Sequence, residues 1–389
     1  MASTDNMTHR ERFRRVVNHE EADRAVFDLC GCPQTLIDYQ ETREALKKSL
    51  GFNGEDQGNF PLDERILNYF DIDTRMVGGM ATPKTIHNRT EGEIRYDSYG
   101  IGRKPINGHY EICHNPLKDA TIDEMMAYPL PEASAIDRNL IRSWGEQAEY
   151  LHRETDYAII ASHPVLGVFE IGCWLFGFDD YLYRLAAEPE LVHAFSRRIL
   201  KYQKEVIDIY YSELGAWIDC TSSGDDFGMQ TGTFMSVDMF NEFIVPYFSE
   251  RIAHTKKYTD AFYEHHSCGS VYSLIPSLKK CGVDILNPIQ PGTFMMEPER
   301  LKKDYGSVIS FWGGIDTQEL LPRCSAEAVE EEVKKTLAIM GNEGYILSPA
   351  HCIQSDVPAG NIEAIYRGAQ KFYTKGNSYY DKRRPGKRS

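Results

Sequence analysis

Residues 262–270 read Phe262-Tyr263-Glu264-His265-His266-Ser267-Cys268-Gly269-Ser270, an aromatic-rich run with the extended character of a buried strand, stopped by a glycine turn. Successive side chains on a strand alternate faces, so His266 and Cys268 share one face while Tyr263 and His265 take the other and pack outward under helices. Imidazole and thiol on one face make a metal half-site. Zn2+ prefers these ligand types, and a catalytic zinc takes three protein ligands with the fourth position open. The third must come from elsewhere, and Tyr345-Ile346-Leu347-Ser348-Pro349-Ala350-His351-Cys352 is a second strand-like run ending in the same two residue types. Adjacent residues in an extended segment point to opposite sides, so only one of His351 and Cys352 can join the pair. The competing reading of both ends is a buried histidine beside an inert cysteine.

Outward from this run, similar β-branched or aromatic stretches recur at 25–30, 157–162, 217–222, 261–268, 283–288, 308–313 and 345–349. Helical-period segments lie between them, such as 191–211 and 326–340, the latter acidic early and carrying Lys334 and Lys335 later. This βαβ rhythm, with no GxGxxG after the first strand and no phosphate loop, predicts an α/β fold of the (β/α)8 TIM-barrel type rather than a dinucleotide-binding sheet. A second strand falls at 74–78. The polar, turn-rich region 43–140 reads as an N-terminal elaboration with long loops around the barrel mouth. One domain spans 1–376, and the basic stretch 377–389 is expected to be a disordered tail.

Catalytic groups in such barrels sit on loops after the C-terminal ends of strands. Cys30 and Cys32, Asp225 and Asp226, His266 and Cys268, Asn287 through Gln290, and His351 with Cys352 all fall at such ends. Cys30 and Cys32 form a second same-face pair, either extra ligands or small residues where a bulky ring approaches.

Composition narrows the function classes. With 389 residues and 42% hydrophobic content the chain can bury a large core. A net charge of −15 opposes a nucleic-acid partner, which would need Lys and Arg against phosphates. Nine cysteines, an odd number without a regular framework, suit free thiols in a reducing compartment. No run approaches eighteen apolar residues, and Met1-Ala2-Ser3-Thr4-Asp5-Asn6 lacks a signal-peptide layout, so a cytoplasmic protein without a membrane partner is expected. A homodimer is left open.

Several motifs now carry a resemblance. Thr8-His9-Arg10-Glu11-Arg12-Phe13, running into residues 17–24, resembles the opening of the uroporphyrinogen decarboxylase superfamily. So do Phe176-Gly177-Phe178-Asp179-Asp180, Gly224-Asp225-Asp226-Phe227-Gly228, Ser236-Val237-Asp238-Met239-Phe240 and Pro349-Ala350-His351-Cys352-Ile353, in order over residues 7–372. The resemblance implies a distorted (β/α)8 barrel. Tetrapyrrole decarboxylases carry Arg-Gln-Ala-Gly-Arg after the first strand, where this chain has Phe27-Asp28-Leu29-Cys30-Gly31-Cys32 and no arginine to hold substrate carboxylates. The corrinoid (cobalamin)-dependent methyltransferase branch is similar in its His-x-Cys at the strand end that His266 and Cys268 occupy, with a third zinc ligand on the last strand. That ligand is a cysteine in the thiol-methylating enzymes. In ungapped register the position is His351 here, with Cys352 next.

The resemblance therefore implies a zinc-dependent methyltransferase working between a small methylated substrate or thiol and a separate corrinoid protein, since the chain has no Asp-x-His-x-x-Gly cobalamin motif. Metal ligands would come from His266, Cys268 and either His351 or Cys352. Asp225 and Asp226 could supply a general acid or orient the substrate, or could cap the next helix. Gln290, His163 and Glu170 lie near strand ends, with structural hydrogen bonding as their competing role. Two other functions remain open: a metal-free decarboxylase or lyase, and a non-enzymatic corrinoid or tetrapyrrole carrier.

Overall fold

The apolar runs close into a ring. The computed structural model describes residues 7–106 and 109–374, so the expected tail at 377–389 lies outside it. Eight strands, β1 (Val26–Phe27), β2 (Thr74–Val77), β3 (Ala158–Ser162), β4 (Cys220–Gly224), β5 (Phe262–His266), β6 (Ile285–Ile289), β7 (Ser310–Ile315) and β8 (Tyr345–Pro349), form one sheet ordered β1-β8-β7-β6-β5-β4-β3-β2. Every pairing in it is parallel. At the seam between β1 and β2, the Asp73 N–H donates to the Phe27 carbonyl (2.9 Å) and the Phe27 N–H to Asp73 Oδ2 (2.7 Å). Helices cover the outside, the longest being Pro189–Leu214. The fold is the TIM barrel that the βαβ rhythm predicts.

Strand alternation sorts side chains into two cores. Outward residues such as Tyr263 and Leu347 join the large layer under the helices. Inward residues Val26, Ala158, Ile160, Cys220, Ile285, Trp312 and Ile346 form a smaller cluster inside the barrel. That cluster also contains Phe13, Val16 and Val17 from the helix His9–Val17, which plugs the bottom of the ring. Its cap is Thr8, whose hydroxyl accepts from the Glu11 N–H. On its polar side Arg12 (2.7 Å), His9 (2.7 Å) and Arg24 (2.6 Å) converge on the buried Asp73. Burial would raise the Asp73 carboxyl, but these partners together hold it well below the ordinary carboxylate range.

Several boundaries depart from expectation. The expected strand at 217–222 starts only at Cys220, because Gly215–Trp217 form a 3-10 turn after the long helix. Within 43–140 a four-stranded antiparallel sheet, made of Arg89–Glu91, Ile94–Tyr96, Gly102–Ile106 and His109–His114, stands where only loops are expected. Cys30 adopts φ +57, so Cys30 and Cys32 do not share a face: Cys30 packs into the outer core and Cys32 inside the barrel. No helix of the described residues is long and apolar enough to cross a membrane.

Candidate metal centre

β5 ends at His266, and its C-terminal neighbours turn over the mouth. The His266 Nδ1–H donates to Asn287 Oδ1 on β6 (2.5 Å), which fixes the ring so that the Nε2 lone pair faces Cys268 Sγ at 3.2 Å. From across the barrel, two residues beyond β8, His351 brings its ring to 5.5 Å from that of His266. One ligand atom each of His266, Cys268 and His351 lies within 4.8 Å of the others, the one such three-residue group among the described residues. Atoms bound tetrahedrally at 2.0–2.3 Å stand about 3.5 Å apart. The His266–Cys268 spacing is close to this, and the exposed His351 stands within 4.8 Å of both.

The loop carrying Cys268 is clamped. Asp226 Oδ1 accepts from the Cys268 N–H and Gln290 Oε1 from the Gly269 N–H, each at 2.7 Å. Phe227 N–H donates to Ser267 Oγ (2.9 Å), and Ser270 N–H to the Met229 carbonyl (2.9 Å). Gly269 has φ +77, and a Cβ there would lie 2.6 Å from the Gly228 carbonyl carbon, so the close approach of the two loops requires glycine.

Electrostatics test whether these residues fit a cation. Burial and the nearby Asp226 carboxylate push the Cys268 thiol well above its usual range. Burial and His266 push His351 down, so it presents a neutral imidazole. Protein atoms alone therefore do not stabilise a thiolate here, whereas a divalent cation would. A neutral imidazole, an oriented second imidazole and a thiol awaiting a counter-charge fit zinc.

The other predicted residues separate. Cys352 turns away and donates Sγ–H to the Pro33 carbonyl (3.3 Å). Asp225 is buried and accepts from Phe169 N–H (3.0 Å) and Glu170 N–H (2.8 Å), capping the helix Val168–Phe176, which precedes it in sequence rather than following it. A Cβ on Gly167 would fall 1.9 Å from Asp225 Cγ, so this borrowed cap also requires glycine. Burial lifts the Asp225 carboxyl to about 7. His163 Nδ1–H donates to the Val165 carbonyl (3.2 Å), and burial keeps its ring neutral. Tyr263 and His265 are buried on the outer face, His265 tilted 4.6 Å from Phe248 and stacked 5.5 Å from Phe227.

The acid that sequence reasoning undervalues is Glu170. Burial first, then Asp225 and Asp226, raise its carboxyl to about 9, so it is protonated at neutral pH. Glu170, Trp174 and Asp226 line two adjoining cavities: one of about 320 Å3 reaching His266, and one of about 430 Å3 walled by aromatic side chains. Among the described residues, no Lys or Arg lines either cavity.

The sequence model of the uroporphyrinogen decarboxylase (URO-D) family matches residues 144–372. No curated protein matches the chain. Among solved structures, a methyltransferase from Methanosarcina mazei is similar over 95% of this chain and 100% of its own, at TM-score 0.63 and 14% identity, a likeness of fold. The β-glycosidase from Thermosphaera aggregans aligns over 90% and 98% at TM-score 0.38 and 11% identity.

Proposed function

Because the chain belongs to the uroporphyrinogen decarboxylase family, we propose that it is a zinc-dependent methyltransferase of that family, moving a methyl group between a small methylated substrate or thiol and a corrinoid carried by a separate protein. The carrying observation is the group of His266, Cys268 and His351 at the barrel mouth, with Asn287 aiming His266 and a cavity adjoining it. Zinc held there would supply Lewis acidity to a substrate heteroatom, activating a thiol or making an ether or amine a better leaving group.

The chain's own residues do the rest. Asn287 holds the proton on His266 Nδ1 and so keeps Nε2 free as a ligand. Asp226 and Gln290 hold the Cys268 loop against displacement when substrate enters. Glu170 holds a proton at its carboxyl beside both cavities and can deliver it to a departing heteroatom, the role expected of Asp225 and Asp226. Asp225 is committed to its helix cap and Asp226 to the Cys268 N–H.

A decarboxylase acting on a polycarboxylate finds no cationic wall here. Asp28, where the decarboxylases carry arginines nearby, is buried against Thr74 and the Trp312 indole N–H (3.1 Å). The test is turnover. Purified chain with a methylated substrate should be inert alone and should alkylate Co(I) once a cognate corrinoid protein is added, read as a change in cobalt absorbance. Catalytic turnover without any corrinoid would reject this function.

A further inference from the structure

The larger cavity beside the metal group has a chemistry of its own. The Phe234 ring lies 6.2 Å from Phe169, nearly parallel, and 5.0 Å from Phe178, edge-on. The rings pack against one another into a continuous apolar wall, with Trp174 completing the lining. Aromatic faces and edges of this kind take up an aryl ring by stacked or edge-to-face contact. Trp174 also has the Arg103 guanidinium over it, 5.1 Å from the ring centre, which repels a cation. A volume of about 430 Å3 lies within the range of small-molecule sites and far exceeds what a methylamine or a small thiol fills. Phe178 is 46% exposed, so the cavity opens to solvent. Its polar lining is Asn115 together with Glu170 and Asp226, the last two shared with the cavity that reaches His266.

We propose that this cavity binds the methyl donor and that the donor is an uncharged aryl methyl ether, its ring on the Phe234 wall and its methoxy oxygen turned past Glu170 toward His266. The inference rests on the methyltransferase reading above and names its substrate class. In the transfer the O–CH3 bond breaks and its electron pair stays on oxygen. The methyl carbon is taken by the electron pair of a Co(I) corrinoid, oxidising cobalt by two electrons, and the phenolate oxygen accepts the Glu170 proton to leave as a phenol. Water then returns a proton to Glu170.

Calorimetric titration of the purified chain with methoxybenzene, tetramethylammonium and methylamine tests the cavity without turnover. Methoxybenzene should bind saturably, the two amines should not, and Phe234→Ala should weaken methoxybenzene binding at least five-fold. Phe178→Ala, at an exposed position outside the buried core, should weaken it in the same direction. Protein treated with a chelator should bind within two-fold of untreated protein, which separates this site from the metal. Loss of the metal reading with methoxybenzene binding intact leaves the cavity assignment standing. Binding of tetramethylammonium in preference, binding of neither, or methoxybenzene affinity unchanged in both variants overturns it.

Discussion

Glu170 is the residue whose role depends most on its surroundings. Asp225, Asp226, Cys173 and Cys268 act on it electrostatically, His163 and His266 share a cavity with it, and the charges that shift its carboxyl are the two aspartates, which raise it. Its proton is therefore held through neutral pH and released only as pH rises through about 9. If that proton goes to the leaving heteroatom, cobalt alkylation should decline on an alkaline limb near 9. Glu170→Gln should remove that limb and slow the reaction by about 10^2–10^4-fold, the usual worth of a positioned acid. An unchanged pH profile in the variant would assign Glu170 a structural part. The sequence shows where the carboxylates fall but not how dry each one is. Asp225 and Asp226 stand out as a pair on a strand end, while Glu170 lies in the first turn of a helix and acquires its proton only when the loop after β4 folds onto it. By contrast, the His266–Cys268 pair is legible from strand alternation, and barrel closure brings the end of β8 toward it, but the choice between His351 and Cys352 is not legible, because it depends on the folded loop that turns Cys352 to the Pro33 carbonyl.

Among the elements, the N-terminal helix His9–Val17 shows what pattern reading misses. Its apolar face plugs the barrel, and Arg12, His9 and Arg24 surround one buried carboxylate at Asp73, which also takes the Phe27 N–H at the β1–β2 seam. Removing one member of such a network leaves buried charge uncompensated, so Asp73→Asn should cost about 3–5 kcal/mol. Because the folded carboxyl is depressed, its contribution is fully present above the unfolded value near 4 and is lost as pH falls below it. Wild-type stability in denaturant should fall over that acid window, and the variant should show a shallower fall. Equal acid dependence in both would remove Asp73 from the account. The helix is readable from its period and cap, but the buried partners of Arg12 and Arg14, Asp73 and Asp219, each at 2.7 Å, are reached only across the fold. The antiparallel sheet within 89–114 escapes for another reason. Its strands are short and largely exposed, so they carry no apolar alternation, and the strand signal depends on a buried face.

At the scale of the whole molecule, eight strands drawn from residue 26 to residue 349 surround one inner core with no break in the parallel order. We propose that residues 1–376 form a single unit, so limited proteolysis should trim ends and long loops. Two stable fragments from a cut near residue 150 would contradict it. The ring's central consequence is that His266 and Cys268 on one side meet His351 from the other, and everything proposed for catalysis depends on a metal being held there. The most direct test is the zinc content of protein purified without chelator, measured for wild type, Cys268→Ala, His351→Ala and Cys352→Ala. The account predicts close to one zinc per chain in wild type and in Cys352→Ala, with zinc lost in Cys268→Ala and strongly reduced in His351→Ala. Wild-type protein without zinc, or Cys268→Ala retaining it undiminished, would contradict the account.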